Sequence, residues 1–137
     1  MIEWFYSVEK GIPMPKPPRP TDAELNILRV LWNLGPATVK QVHQALSVER
    51  ELTYTGVLRM LQVMFEKGLV QRDESARSHV YRPTVAKEAT QKGLVKDLLE
   101  RAFAGSAREL VLAALKSGRV SPRERAEIRA LLEEKPR

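Results

Sequence analysis

Leu52-Thr53-Tyr54-Thr55-Gly56-Val57-Leu58-Arg59-Met60-Leu61, continued by Glu66-Lys67-Gly68-Leu69-Val70-Gln71-Arg72, is the stretch that decides the fold. On a helical wheel at about 100° per residue, Tyr54, Val57, Leu58, Leu61, Met64 and Phe65 gather on one side. Thr53, Thr55, Gly56, Arg59 and Val63 fall mostly on the other. The first group is expected to be core; the second is small and polar around one arginine. Gly68 suits the left-handed position that ends a helix. Leu69 and Val70 lead into a short strand through Glu74, followed by a turn at Ser75-Ala76-Arg77. A return strand over Ser78-His79-Val80-Tyr81-Arg82 is closed by Pro83. Helix, strand, basic turn, strand is the order of a recognition helix followed by a wing.

A helix that lies in a major groove needs such a face, because bulky side chains would hold it off the base edges. Arginine can grip guanine through two hydrogen bonds, and threonine can hydrogen-bond or touch a thymine methyl. Hydroxyls and the free amides of a helix N-terminus suit backbone phosphates. Thr53, Tyr54, Thr55, Gly56 and Arg59 are therefore the candidate DNA-contacting set. Lys67, Arg72, Arg77 and Arg82 can reach phosphate or the minor groove. Arg72 and Arg82 equally fit surface ion pairs, with Asp73 and Glu74 close by. Arg77, at the tip of the turn, is the best wing candidate. Lys40 and His43 can approach phosphates or remain simply solvated. In isolation this helix would be an ordinary solvated face; the two helices before it and the hairpin after it turn the reading to DNA.

Upstream, Thr21-Asp22-Ala23-Glu24 has the form of a capping box, threonine followed three residues later by glutamate. Leu25, Leu28, Val30, Leu31, Trp32 and Leu34 follow at helical spacing, and Gly35-Pro36 ends that helix. Thr38-Val39-Lys40-Gln41 is a second capping box, opening a helix whose apolar face carries Val42, Ala45 and Leu46. The third helix spans roughly 53–67. Residues 21–83 thus predict a mostly α winged helix-turn-helix, with three helices and a two-stranded wing.

Downstream the chain reads as helix throughout, over 84–104, 106–117 and a segment opened by the capping box Ser121-Pro122-Arg123-Glu124. These short amphipathic helices hold too few residues for a strong core of their own. Leu98, Leu99, Phe103, Leu110, Val111, Ala114, Ile128, Leu131 and Leu132 are expected to meet a second copy of the chain, making residues 84–137 an all-helical dimerisation region. The alternative is that they pad the winged domain of the same chain. Residues 1–20 hold five of the nine prolines and read as a flexible arm, with Met14 as an alternative start.

The totals narrow the function. A formal net charge of +6 and a pI of about 9.8 favour a polyanionic partner. The absence of cysteine removes disulfides, thiolate metal sites and thiol nucleophiles. No run approaches the ~18 apolar residues of a membrane span, and the N-terminus does not have the pattern of a secretory signal; the expected compartment is the cytoplasm. His43 and His79 are the two histidines, and nothing places them with a nucleophile. His79 alternates with Val80 along a strand, as wing structure does. No metal spacing, phosphate loop or paired-carboxylate motif is present. The expectation is a protein without catalytic activity, metal or cofactor.

The chain resembles the penicillinase-repressor (BlaI/MecI/CopY) family. The resemblance lies in Thr21-Asp22-Ala23-Glu24, Ile27-Leu28, Val30-Leu31-Trp32, Gly35 and Thr38-Val39. It continues in Tyr54-Thr55, Val57-Leu58, Met60-Leu61, Glu66-Lys67-Gly68-Leu69-Val70 and Val80-Tyr81-Arg82-Pro83, with Leu110-Val111 and the Ser-x-x-Glu start of the last helix. It covers about residues 21–134. It implies a dimeric repressor on a palindromic operator, two copies of the third helix occupying major grooves about one turn or a small multiple apart. It also implies relief when a membrane metalloprotease sensor triggers cleavage of the dimerisation region, here around Phe103, Ala104, Gly105, Ser106 and Ala107. Two positions depart from the family: it usually carries threonine where this chain has Gly56 and again where it has Arg59, so the operator is expected to differ. The cysteine-rich tail of the copper-responsive branch is missing, which excludes thiolate copper sensing. Two other readings stay open on the residues alone: a small-ligand-responsive winged-helix regulator, and a winged-helix module for protein interaction only.

Overall fold

The computed structural model describes residues 19–48 and 50–134. Apart from Arg19 and Pro20, the expected arm and its Met14 start lie outside the described residues. The described chain falls into two compact units, one extending to Thr90 and one from Gln91 onward.

In the first unit, α1 spans Asp22–Leu34, β1 Ala37–Thr38, α2 Val39–Leu46, α3 Tyr54–Lys67, β2 Val70–Asp73 and β3 Val80–Pro83. Each helix starts where side chain chemistry tells it to. Thr21 Oγ1 accepts from the Glu24 amide at 3.2 Å while Glu24 Oε1 accepts from the Thr21 amide at 2.9 Å. Thr38 and Gln41 make the same reciprocal pair ahead of α2. Two orphan amides are satisfied at each start. Gly68, at φ 84°, ends α3 in the left-handed region, and its amide is donated back to Met64 and Phe65 carbonyls. A Cβ-bearing residue is disfavoured there.

The sheet corrects the expected two-stranded wing. It has three strands in the order β1-β3-β2, all antiparallel, with Ala37 opposite Tyr81 and Arg72 opposite Tyr81 on its other side. Two residues between α1 and α2 are too few to show any alternation, so nothing local marks β1. Ile27, Leu28, Leu31, Val42, Val57, Leu61, Met64, Leu69, Val70 and Tyr81 form one buried cluster joining the helices to the sheet. Trp32, half-buried, donates its indole Nε1–H to the Val85 carbonyl at 3.0 Å, fixing the chain as it leaves the wing.

The second unit is made of α4 (Lys87–Ala102, which crosses the division between units), α5 (Ala107–Lys116) and α6 (Pro122–Glu133), the last two opened by serine caps. Ser106 and Ser121 accept from amides three residues on, and Glu124 completes the box with Ser121. The first two of these helices are shorter than the sequence suggests, because Ser106 is a cap and residues 84–86 precede the first turn. None of the described residues of this unit is buried.

Candidate nucleic-acid interface

The geometry of the site is built from the start of α3. Thr53 is its N-cap, and its Oγ1 accepts the Gly56 amide at 3.0 Å. The Thr53 hydroxyl is therefore committed first to holding the helix start. The loop before it is pinned as well. His43 Nε2 donates to the Leu52 carbonyl at 2.6 Å, which fixes the ring nitrogen that carries hydrogen, and the His43 ring meets Tyr54 edge to face at 6.0 Å. His43, read from sequence as able to approach phosphates or remain solvated, ties α2 to the entrance of α3.

Thr53, Tyr54, Thr55, Gly56 and Arg59 are all exposed. Tyr54 corrects the expectation of a core residue: it is 48% exposed, since it opens the helix before the packed part begins. Val63, expected on the polar side, is half-buried. Gln62 is exposed one turn beyond Arg59 and was not singled out by sequence; a longer polar stripe along the wheel was the signal that could have found it.

The basic residues separate into two groups. Lys67 Nζ sits 2.7 Å from Glu24 Oε2, joining the end of α3 to the start of α1. Burial pushes the Glu24 carboxyl up, but the hydrogen bond and charge of Lys67, with the Thr21 amide, outweigh it and hold the carboxyl below its ordinary value. Arg72 lies 4.0 Å over the Phe65 ring and 2.9 Å from Glu74, a cation–π and ion-pair arrangement that holds the start of the wing against α3. Arg82 donates twice to Gln71 Oε1 across the β2–β3 pair. These three cations are engaged in holding the fold. Lys40 and Arg77 are exposed, and the structure brings them to one shallow groove with Tyr54, Leu58, His79 and Tyr81. Arg77 reaches it from the wing and Lys40 from α2, so cations from two elements meet in the groove beside the recognition helix.

In the second unit, Leu98, Val111, Leu131 and Leu132 are 45%, 47%, 65% and 78% exposed. Leu99, Phe103, Leu110 and Ile128 are half-buried and Ala114 is exposed. Between α4 and α5, Ala104 and Gly105 take positive φ of 46° and 82° and both are exposed, followed by the capping Ser106 and by Ala107.

The penicillinase repressor family model matches residues 20–134. The transcriptional regulator BlaI of Mycobacterium tuberculosis is 37% identical over 100 residues, 72% of each chain. The penicillinase repressor of Bacillus licheniformis is 26% identical over 121 residues, covering 88% of this chain and 94% of that one. A solution structure of the monomeric form of Bacillus licheniformis BlaI with the blaP half-operator aligns over 55% of this chain and 92% of that one, at 27% identity and a TM-score of 0.47.

Proposed function

We propose, from the premise that this chain belongs to the penicillinase repressor family, that it represses transcription as a homodimer on a palindromic operator. It is a DNA-binding transcriptional repressor and not an enzyme. The observation that carries the DNA-binding reading is the exposed outer face of α3, with Lys40 from α2 and Arg77 from the wing exposed in one groove beside it. The α3 face enters the major groove; Lys40, Arg77 and the α3 N-terminus hold phosphates along its edge.

The dimer reading is supported by the second unit. Its helices carry Leu98, Val111, Leu131 and Leu132 to water at large fractional exposure, and apolar area of this kind is stabilised by a second copy. Two linked half-sites bind far more tightly than one, because the second contact is made at high effective concentration. Cleavage around Ala104–Ala107, where Ala104 and Gly105 are exposed, cuts the chain between α4 and α5, separates the dimer and releases the operator. A membrane metalloprotease sensor is the proposed trigger. Among the described residues no helix is long and apolar enough to cross a membrane, and cytoplasmic residence is part of the proposal.

The test is footprinting on DNA upstream of the protein's own gene, titrated across salt, alongside sedimentation of the free protein. A two-fold-symmetric footprint, affinity that falls steeply with salt and a dimer mass are expected. Weak binding that is equal on every sequence, or a monomer that protects a single half-site, would remove the reading.

A further inference from the structure

The outer face of α3 is a single stripe. Thr55, Arg59, Gln62 and Glu66 recur at i, i+4, i+7 and i+11, the spacing that keeps residues on one line of a helix. All four are exposed, whereas Val57, Leu61 and Met64, on the opposite side, are buried. The stripe therefore points directly away from the core that fixes the helix.

Its chemistry changes along its length. Thr55 lies in the first turn and is short. Arg59 and Gln62 are longer and lie farther along, where a helix entering the groove N-terminus first has begun to leave its floor. Glu66 ends the line with a carboxylate, which DNA phosphates repel. The contacting part is thereby bounded to Thr55–Gln62. The neighbouring cations Lys67 and Arg72 are held by Glu24 and by Phe65 with Glu74. Arg59 is thus an exposed guanidinium in the middle of a face whose other members are uncharged until Glu66.

We infer that Arg59 and Gln62 read two bases of each half-site, Arg59 a guanine through its O6 and N7, and Gln62 an adenine through its N6 and N7. Both pairings use two hydrogen bonds, one donor–acceptor pattern per base, and other bases cannot satisfy them in the same geometry. Thr55 sits where its methyl meets a thymine. Gly56, beside the stripe, presents no side chain, so the backbone of the first turn comes close to the DNA. This rests on the reading that α3 enters the major groove.

The experiment is selection of bound sequences from a randomised duplex pool by the full-length protein, by Arg59→Ala and by Gln62→Ala. Circular dichroism confirms that each variant folds. The wild type is expected to enrich half-sites with one invariant guanine and one invariant adenine. Arg59→Ala should lose the guanine preference alone and Gln62→Ala the adenine preference alone. Each should bind the wild-type site on the order of ten- to a hundredfold more weakly, with binding to unrelated DNA nearly unchanged. Variants that keep the wild-type base preferences, or weaken on all sequences alike, overturn the assignment while leaving DNA binding intact. A wild type that enriches no sequence overturns the groove reading itself, and the assignment with it.

Discussion

The winged unit and the helical unit that follows it are made of similar residues and end in opposite states. In the first, Ile27, Leu31, Leu61 and Met64 have no exposed surface at all. In the second, leucines and valines at the same helical spacing stay in contact with water, and none of the described residues is buried. Both have well-formed caps, so helix formation does not separate them. Closure does. The winged unit has a sheet over which its helices fold and side-chain ties that join separate elements: Lys67 to Glu24, Trp32 to Val85, Arg72 to Phe65. The helical unit's caps and ion pairs, Arg101 with Asp97 and Arg123 with Glu127 among them, are local. Local ties set helices but add little to stability. One region is therefore closed within its own chain, and the other leaves Leu98, Val111, Leu131 and Leu132 in contact with water, the surface to which the proposed dimer assigns a second copy.

The sharpest way to break this contrast is to remove one core side chain. Leu61→Ala should destabilise the winged unit by about 2–5 kcal/mol, through lost burial and the cavity left behind. Chemical denaturation followed by tryptophan fluorescence, which reports on Trp32 beside that core, measures it. A loss below about 1 kcal/mol would mean that the core closes around the gap. Leu131→Glu with Leu132→Glu should behave in the opposite way. Both side chains are exposed, so the winged unit's denaturation midpoint should stay within about 0.5 kcal/mol of wild type. The mass by sedimentation should fall to that of a monomer, and operator affinity by a factor on the order of 10² or more. An unchanged dimer would place the interface on α4 and α5 alone.

The tie between α1 and α3 gives a smaller and pH-dependent effect. Lys67 is partly exposed, so Glu24→Gln should lose only about 1 kcal/mol near neutral pH, less than a fully buried charged hydrogen bond. The Glu24 carboxyl is held below its ordinary value, so its ionised form favours the folded state. That stability is fully present above the ordinary carboxylate range and disappears as pH falls through the folded value. Wild type and Glu24→Gln should therefore converge in acid. A constant gap across that range, measured by denaturation at stepped pH, would show that packing rather than charge is lost.

These effects also separate what the sequence reveals from what it hides. Thr21 with Glu24, Thr38 with Gln41 and Ser121 with Glu124 are each three residues apart, and all three capping boxes form as their spacing predicts. Gly35, Gly68, Gly105 and Gly118 all take positive φ at helix ends, as a residue without Cβ can. The order of helices and wing is likewise local information. The Lys67–Glu24 pair spans 43 residues, and β1 exists only because β3 lies beside it, so no local window contains either. Tyr54 misled because the wheel describes a direction and takes no account of where packing begins. The same limit applies to Lys67: its basic type is visible in the sequence, and a partner 43 residues away is not.

The finest test of the contrast compares two glycines in helices, Gly56 in α3 and Gly93 in α4. Replacing a helical glycine by alanine stabilises a helix by about 1 kcal/mol where the new methyl meets nothing. A Cβ at Gly93 has no neighbour within 4 Å, so Gly93→Ala should show the full gain if that surface stays in water. A Cβ at Gly56 would stand 2.9 Å from Thr53 Oγ1, the same oxygen that caps the helix. The hydroxyl must turn aside, and a disturbed cap loses about 0.5–2 kcal/mol. The two terms nearly cancel, and Gly56→Ala should leave the midpoint of denaturation almost where it was. Denaturing both variants at low and at high protein concentration adds the decisive contrast. Gly56 belongs to the unit that closes on itself, so its small effect should not depend on concentration. A Gly93→Ala gain seen in dilute protein and lost in concentrated protein would place Gly93 under the second copy; a gain that persists at both would keep that part of α4 outside the interface and confine the partner's contact to the exposed leucines beyond it.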